Sequence, residues 1–363
     1  MNAINGFPQD DILPCRPRRS LTWSGSPCSA GFKRQNRKGK AAPTPDEETG
    51  CSEMNGAITD FLIVADQIFI LVLLIAAGYV AVATKIVDPR ATRGLSGLLV
   101  NITIPALIIA SMQVPFTPER LVDAETLVLA TGALYIFSFG LAWAVSKAMR
   151  VTAAEEGVLQ FAIVFGNVGF MGFPVSLTLF GQDSLFYVAI FNLVFNILVF
   201  SVGIAMLTGG RGKGFDPKLL LNPGIAASLL GLALFLGSIE IPSPFIDSID
   251  LLGGVTTPLA MIIVGAMLAT FPAREMVGSW RIWTASAILL LGIPAAYFYL
   301  LAPIFADPYI NGIMITMAAM PAAANTVIFA EQYGADSRLA SQIVFVSTIG
   351  SLLTIPLIAT VML

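Results

Sequence analysis

The sequence predicts an all-α polytopic membrane protein: ten transmembrane helices in a 5+5 inverted repeat, with helices 4 and 9 broken. Three observations predict it. Of 363 residues, 56% are hydrophobic and 12% charged, about half the charge of an ordinary soluble domain, and the mean hydropathy is +0.81. Ten charge-free runs cover 67–84, 94–118, 126–146, 157–182, 184–210, 219–239, 251–273, 282–306, 308–330 and 339–363. About 20 apolar residues cross the roughly 30 Å hydrocarbon core as a helix. The runs are too long for barrel strands, the other element that lipid tolerates. Finally, short segments recur at one fixed separation between the two halves.

Residues 1–53 stand apart. They are rich in Pro, Gly, Ser and basic residues, a composition that supports no packed core. They also lack the apolar run of a signal peptide. The expectation is a disordered or mis-assigned extension, with native translation starting at Met54. The remaining chain divides into a first five-helix repeat (54–208), a short cytoplasmic linker (209–221) and a second five-helix repeat (222–363).

Basic residues set the orientation. Alternate loops hold Lys85, Arg90 and Arg93; Lys147 and Arg150; Arg211, Lys213 and Lys218; Arg274 and Arg281; and Arg338. The opposite loops hold only Arg120. The basic loops are therefore expected in the cytoplasm and both termini outside. Histidine is absent and the three cysteines, Cys15, Cys28 and Cys51, precede the first span. These facts remove histidine-based catalysis and metal sites and any disulfide framework from the spans. No cofactor, metal or nucleic-acid partner is expected, and no nucleophile–base pair suggests an enzyme.

The repeat is visible in LLVNITIP at 98–105 against LLGGVTTP at 251–258, and in FGQDS at 180–184 against YGADS at 333–337. Both matches fall at a separation of 153 residues, as do Gly78 and Gly231. An odd number of spans per copy inverts the second copy, which is characteristic of secondary transporters.

Span 4 carries GNVGFMGFP at 166–174. Glycine weakens a helix by about 1 kcal/mol and proline by about 3. Gly166, Gly169, Gly172 and Pro174 together favour two half-helices, and Asn167 can satisfy freed backbone or a ligand. The repeat pairs this stretch with AMPAAANTV at 319–327, where Pro321 and Asn325 take similar roles. Helix N-termini meeting near the midplane would hold an anion without a cation. The alternative is a kinked, continuous span whose glycines serve a close helix crossing.

Other polar residues in the spans are graded by their setting. Asn101 shares a face with Pro105 and is a site candidate or an interhelical hydrogen bond. Asn192 and Asn196, four apart, are expected mainly to pack helices. Gln160 and Gln342 are weaker site candidates. Asp66 is expected at the interface, Glu155 and Glu156 at the start of span 4, and Glu331 is the candidate coupling carboxylate.

The stretch MPAAANTVIFAEQYGADSRLASQIVFVSTIGSLLTIPL at 320–357, with GNVGFMGFPV and NITIPALI, resembles the auxin efflux carrier family. That family includes the plant PIN auxin exporters and bacterial proteins often labelled malonate transporters. The resemblance covers about 54–363. It implies crossing broken helices 4 and 9, a scaffold and a transport domain moving as an elevator, and a homodimer. It also implies substrate contacts at Asn167, Pro174, Pro321 and Asn325. The asparagine precedes the proline in the first half and follows it in the second, so their roles differ. The short loop between spans 5 and 6 lacks the long plant loop, so neither its regulation nor the plant substrate carries over.

The expected function is secondary transport of a small organic anion, a carboxylate, across the cytoplasmic membrane. The residues expected to bind it are Asn101, Gly166, Asn167, Gly169, Gly172, Pro174, Pro321 and Asn325. Potential-driven efflux is favoured because no buried acidic pair for a coupling ion is evident. A sodium- or proton-coupled importer of dicarboxylates such as malonate, and an anion channel, are the alternatives.

Overall fold

Where water is absent, a backbone N–H must bond within its own segment, so apolar runs become helices. The computed structural model of the chain describes residues 66, 68–209, 222–272, 276–305 and 307–362, all within one compact unit, Glu53–Leu363. The expectations for 1–53 and most of the linker lie outside the described residues. The helices are α1 (Ile68–Ala83), α2 (Arg90–Ser111), α3 (Pro118–Ala148), α4 (Ala153–Val164), α5 (Val168–Phe180) and α6 (Ser184–Leu207). They continue with α7 (Pro223–Leu236), α8 (Phe245–Thr270), α9 (Trp280–Leu301), α10 (Pro308–Ala318), α11 (Asn325–Gln332) and α12 (Ser337–Val361). Six of these, α2, α3, α6, α8, α9 and α12, are long and apolar enough to cross a membrane. The chain is thus a polytopic helical membrane protein.

Caps explain where the helices start. Asp88, Thr117, Asn222 and Asp307 each accept a backbone N–H of the first turn, and each precedes a proline. A side-chain acceptor followed by proline, whose missing N–H needs no partner, is the favoured helix entry. As a result α2 and α3 begin earlier than their charge-free runs. Their first two turns carry Arg90 and Arg93, and Glu119, Arg120, Asp123 and Glu125. A charged first turn need not enter hydrocarbon, so hydropathy alone truncates these helices.

The helices pack in two groups, each drawing on both halves of the sequence. In one, α2 packs against α7 and α8, and α1 crosses α8 with backbones almost in contact. A Cβ on Gly78 would lie 2.0 Å from the Ile262 carbonyl oxygen, and one on Gly265 would lie 1.8 Å from that of Ile75. Only glycine permits this reciprocal approach. In the other group, α3 packs against α4, α6 and α10, and α12 against α4, α9 and α11. α6 also touches α2 and α7, and the start of α5 touches α8, which joins the groups.

The segments matched in the sequence share local conformation. Gly181 and Gly334 both take positive φ, +79° and +69°, where α5 and α11 end. Left-handed backbone is cheap only for glycine. Two residues on, Asp183 and Asp336 each precede the next helix, but only Asp336 caps it, accepting from Leu339 N–H at 2.9 Å, while Asp183 faces Arg120 at 3.9 Å. Pro105 and Pro258 each follow a helical irregularity: a π turn at Leu99–Thr103 and a turn at Val255.

Candidate functional site

Helical bonding stops at Val164 and resumes at Val168, and stops again at Ala318 and resumes at Asn325. Proline cannot donate to the residue four before it, and just ahead of Pro174 the chain widens into a π turn, Val168–Gly172. The backbone groups released at the two stops satisfy one another, as buried backbone must. Asn167 N–H donates to the Pro321 carbonyl at 2.6 Å, and Ala323 N–H donates to the Phe165 carbonyl at 3.0 Å. This antiparallel bridge, Gly166 with Ala322, is the only extended pairing among the described residues. Ser347 of α12 completes it, its Oγ accepting from Ala322 N–H at 3.1 Å. A Cβ on Gly166 would stand 3.2 Å from both the Cβ and the carbonyl oxygen of Met320, so the strands close up only around glycine.

Beside the bridge lies a chamber of about 240 Å3. Five asparagines line it: Asn167, Asn192, Asn196, Asn222 and Asn325. Phe170, Phe195, Phe200 and Phe329 supply much of its apolar wall, and α2 contributes Val100, Ile104 and Ile108. None of its lining residues is ionisable. Its size is just under that of drug-sized pockets, and apolar walls with a few polar groups typify small-molecule sites.

Hydrogen bonds fix how four of the amides face the chamber. Asn192 Nδ2 donates to the Val188 carbonyl at 3.0 Å and the Val168 carbonyl at 3.5 Å. Asn196 Nδ2 donates to the Asn192 carbonyl at 2.8 Å. Asn167 does the reverse: its Oδ1 accepts from Phe170 N–H at 3.4 Å, capping α5. Asn222 Oδ1 accepts from Gly224 N–H at 2.9 Å and Ile225 N–H at 3.4 Å, capping α7. A backbone carbonyl demands a donor and an N–H an acceptor, which assigns each amide's orientation.

A wider cavity of about 580 Å3 adjoins the chamber and shares Val100, Phe170, Ala324 and Asn325 with it. Arg93 and Glu331, both exposed, lie on its wall. At the far end of α4, Glu155 bonds Thr152 and pairs with Arg281 at 3.0 Å. Glu156 pairs with Lys147 at 2.9 Å, and Gln160 Nε2 donates to both Ser146 Oγ and Glu156. The Thr152 backbone and hydroxyl, aided by Arg281, hold the Glu155 carboxyl below the usual carboxylate range. Lys147 does the same for Glu156.

Of the residues singled out in the sequence, Gly166, Asn167, Gly169 and Asn325 line the chamber, and Pro321 lies behind them in the bridge. Gly172 and Pro174 are buried outside its lining, Gly172 against the Met317 sulfur. Asn101 is exposed, its Nδ2 donating to the Gly97 carbonyl at 2.8 Å. Asn192 and Asn196, expected mainly to pack helices, line the chamber as well. Asn222 was not singled out, although Asn-Pro ahead of an apolar run is a helix-cap signal.

The profile of the membrane transport protein family matches residues 63–217 and 213–359. A Rhizobium meliloti protein named "Putative malonate transporter" is 28% identical over 295 residues, 78% of this chain and 90% of its own length. An uncharacterized transporter of Methanocaldococcus jannaschii is 25% identical over 303 residues, 82% of this chain and 98% of its own. Another, from Methanothermobacter thermautotrophicus, is 24% identical over the same shares.

Proposed function

This chain belongs to the membrane transport protein family, the family of the auxin efflux carriers, and from that premise we propose that it is a secondary carrier of a small organic anion, a carboxylate. The observation that carries this reading is the uncharged, asparagine-lined chamber beside the two helix interruptions. Amide donors and the start of α5 at Gly169 give an anion hydrogen bonds and a partial positive charge. No fixed cation holds it there, which suits a site that must release its ligand on both sides. The name of the Rhizobium relative makes malonate the first acid to try.

In this reading the chain forms ten spans in a 5+5 inverted repeat, with α4–α5 as helix 4 and α10–α11 as helix 9, broken and crossing at the bridge. The paired conformations at Gly181 and Gly334 support the repeat. The group containing α1, α2, α7 and α8 serves as scaffold, and the remaining helices move against it as an elevator. The protein is a homodimer in the cytoplasmic membrane with its basic loops inside. An inside-negative potential favours exit of an anion by about 2.3 kcal/mol per charge per 100 mV, so efflux needs no coupling ion.

Proteoliposomes loaded with labelled malonate test this at imposed potentials. Efflux that rises with internal negative potential, without sodium or a proton gradient, is the expected result. Flux that requires either ion would instead favour a coupled importer, and unitary conductance steps a channel.

A further inference from the structure

We infer that the chamber takes its ligand as a monoanion bearing a neutral hydrogen-bond donor, so that a dicarboxylate binds in its half-protonated form. The inference rests on the carboxylate reading above and specifies the ionic form. It follows from which end of each amide is already in use. Asn192 spends both Nδ2 hydrogens on backbone carbonyls and Asn196 one of its two, and among the described residues nothing donates to their Oδ1 atoms. Asn167 and Asn222 spend Oδ1 on backbone N–H groups, which leaves their NH2 groups to donate. The chamber therefore offers donors on one pair and acceptors on the other. A carboxylate only accepts hydrogen bonds, whereas a carboxylic acid, hydroxyl or amide also donates. A second carboxylate placed against Asn192 would meet a carbonyl oxygen with no N–H to spare.

Charge leads to the same conclusion. Removing an ion from water costs several kcal/mol even in relaxed protein sites. The charged residues on the helices that build the chamber are Arg90, Arg93, Glu155, Glu156 and Glu331. None of them lines it. Arg93 and Glu331, opposite in charge, share the neighbouring cavity. Glu155 and Glu156 are already paired with Arg281 and Lys147. Arg90, at the exposed start of α2, lines neither cavity, so no cation within the chamber compensates a second negative charge. Asn192 is only 3% exposed and its carbonyl is not among the sealed unpaired atoms, so it opens to the chamber, where a bound ligand takes the place of water.

Three probes decide this with the purified full chain: malonate, its half-amide and its monomethyl ester, with affinity measured by titration calorimetry from pH 5 to 8. The half-amide keeps one charge and a donor, and the ester keeps one charge and loses the donor. Malonate affinity should fall about tenfold per pH unit above its second ionisation. The half-amide should bind with unchanged affinity across the range. The monoester should bind at least about tenfold more weakly than the half-amide, because it displaces water from these acceptors without replacing the hydrogen bond. Malonate affinity that is flat or rises with pH, or a monoester that matches the half-amide, overturns the inference and leaves the carboxylate reading standing. Failure of all three acids to bind at any pH overturns both.

Discussion

The backbone N–H of Asn167 donates to the carbonyl of Pro321 across 2.6 Å, although the two residues lie 154 positions apart in the chain. This bond joins the two helix interruptions and sets the Asn167 side chain on the chamber wall. Since its Oδ1 caps α5 and its NH2 group remains for a ligand, one substitution can separate the two roles. Asn167→Asp keeps an acceptor for Phe170 N–H and replaces the donor with a negative charge. We expect affinity for a carboxylate to fall at least about tenfold, the cost of a lost hydrogen bond to a charged group. The cap is kept, but the buried carboxylate should lower the thermal midpoint at neutral pH and less so in acid, where it is protonated. Titration and thermal unfolding of the same sample check both.

The bridge depends on Ser347. Removing its hydroxyl leaves the buried Ala322 N–H without its acceptor, which costs about 1–3 kcal/mol. Ser347→Ala should lower the thermal midpoint, whereas Ser351→Ala, one turn on, should have a smaller effect. The Ser351 hydroxyl only donates to the Thr348 carbonyl within its own helix. Thermal unfolding in detergent compares the two.

The α1–α8 crossing tolerates no side chain. Gly265→Ala would place a methyl group 1.8 Å from the Ile75 carbonyl oxygen, so the helices must separate. Overpacking of this kind costs about 1–3 kcal/mol. Gly132→Ala on α3, where a Cβ meets nothing within 4 Å, should be neutral or slightly stabilising. Unfolding midpoints of the two variants check the contrast.

Glu155 and Glu156 make stability depend on pH in a stated direction. Folding lowers both carboxyl pKa values, through Thr152 and Arg281 for one and Lys147 for the other. A lowered carboxyl pKa contributes stability above the unfolded value, near 4.3 for glutamate. That contribution is lost as pH falls through the folded value. The wild-type thermal midpoint should therefore drop below about pH 4.3. In Glu155→Gln the midpoint should be lower at neutral pH and the acid-side drop shallower. Both groups are partly exposed, so the effect is modest and weakens with salt.

Much of this was legible in the sequence because lipid enforces simple rules. Apolar length gave the helices, and the glycines and proline of GNVGFMGFP marked the first interruption. Helix starts at Arg90 and Pro118 were missed because charge in a first turn does not prevent helix formation. Asn167 was a site candidate because it adjoins glycines, and Asn325 because the repeat pairs its stretch with that of Asn167. Asn192 and Asn196 have no such neighbours and Asn222 reads as a helix cap, so only the folded chain brings the three to one chamber. Asn101 looked equivalent on paper, but its helical face points it away from the chamber lining. Which atom of each amide remains unused depends on backbone partners, and no spacing in the sequence reveals that.

The most direct test of the central claim is an experimental structure of the full chain in lipid with malonate bound at low pH. The account predicts the acid inside the 240 Å3 chamber, within hydrogen-bonding distance of Asn167 or Asn222 at one end and Asn192 or Asn196 at the other. Malonate seated against Arg93 in the adjoining cavity, with the asparagine chamber holding none, would contradict it.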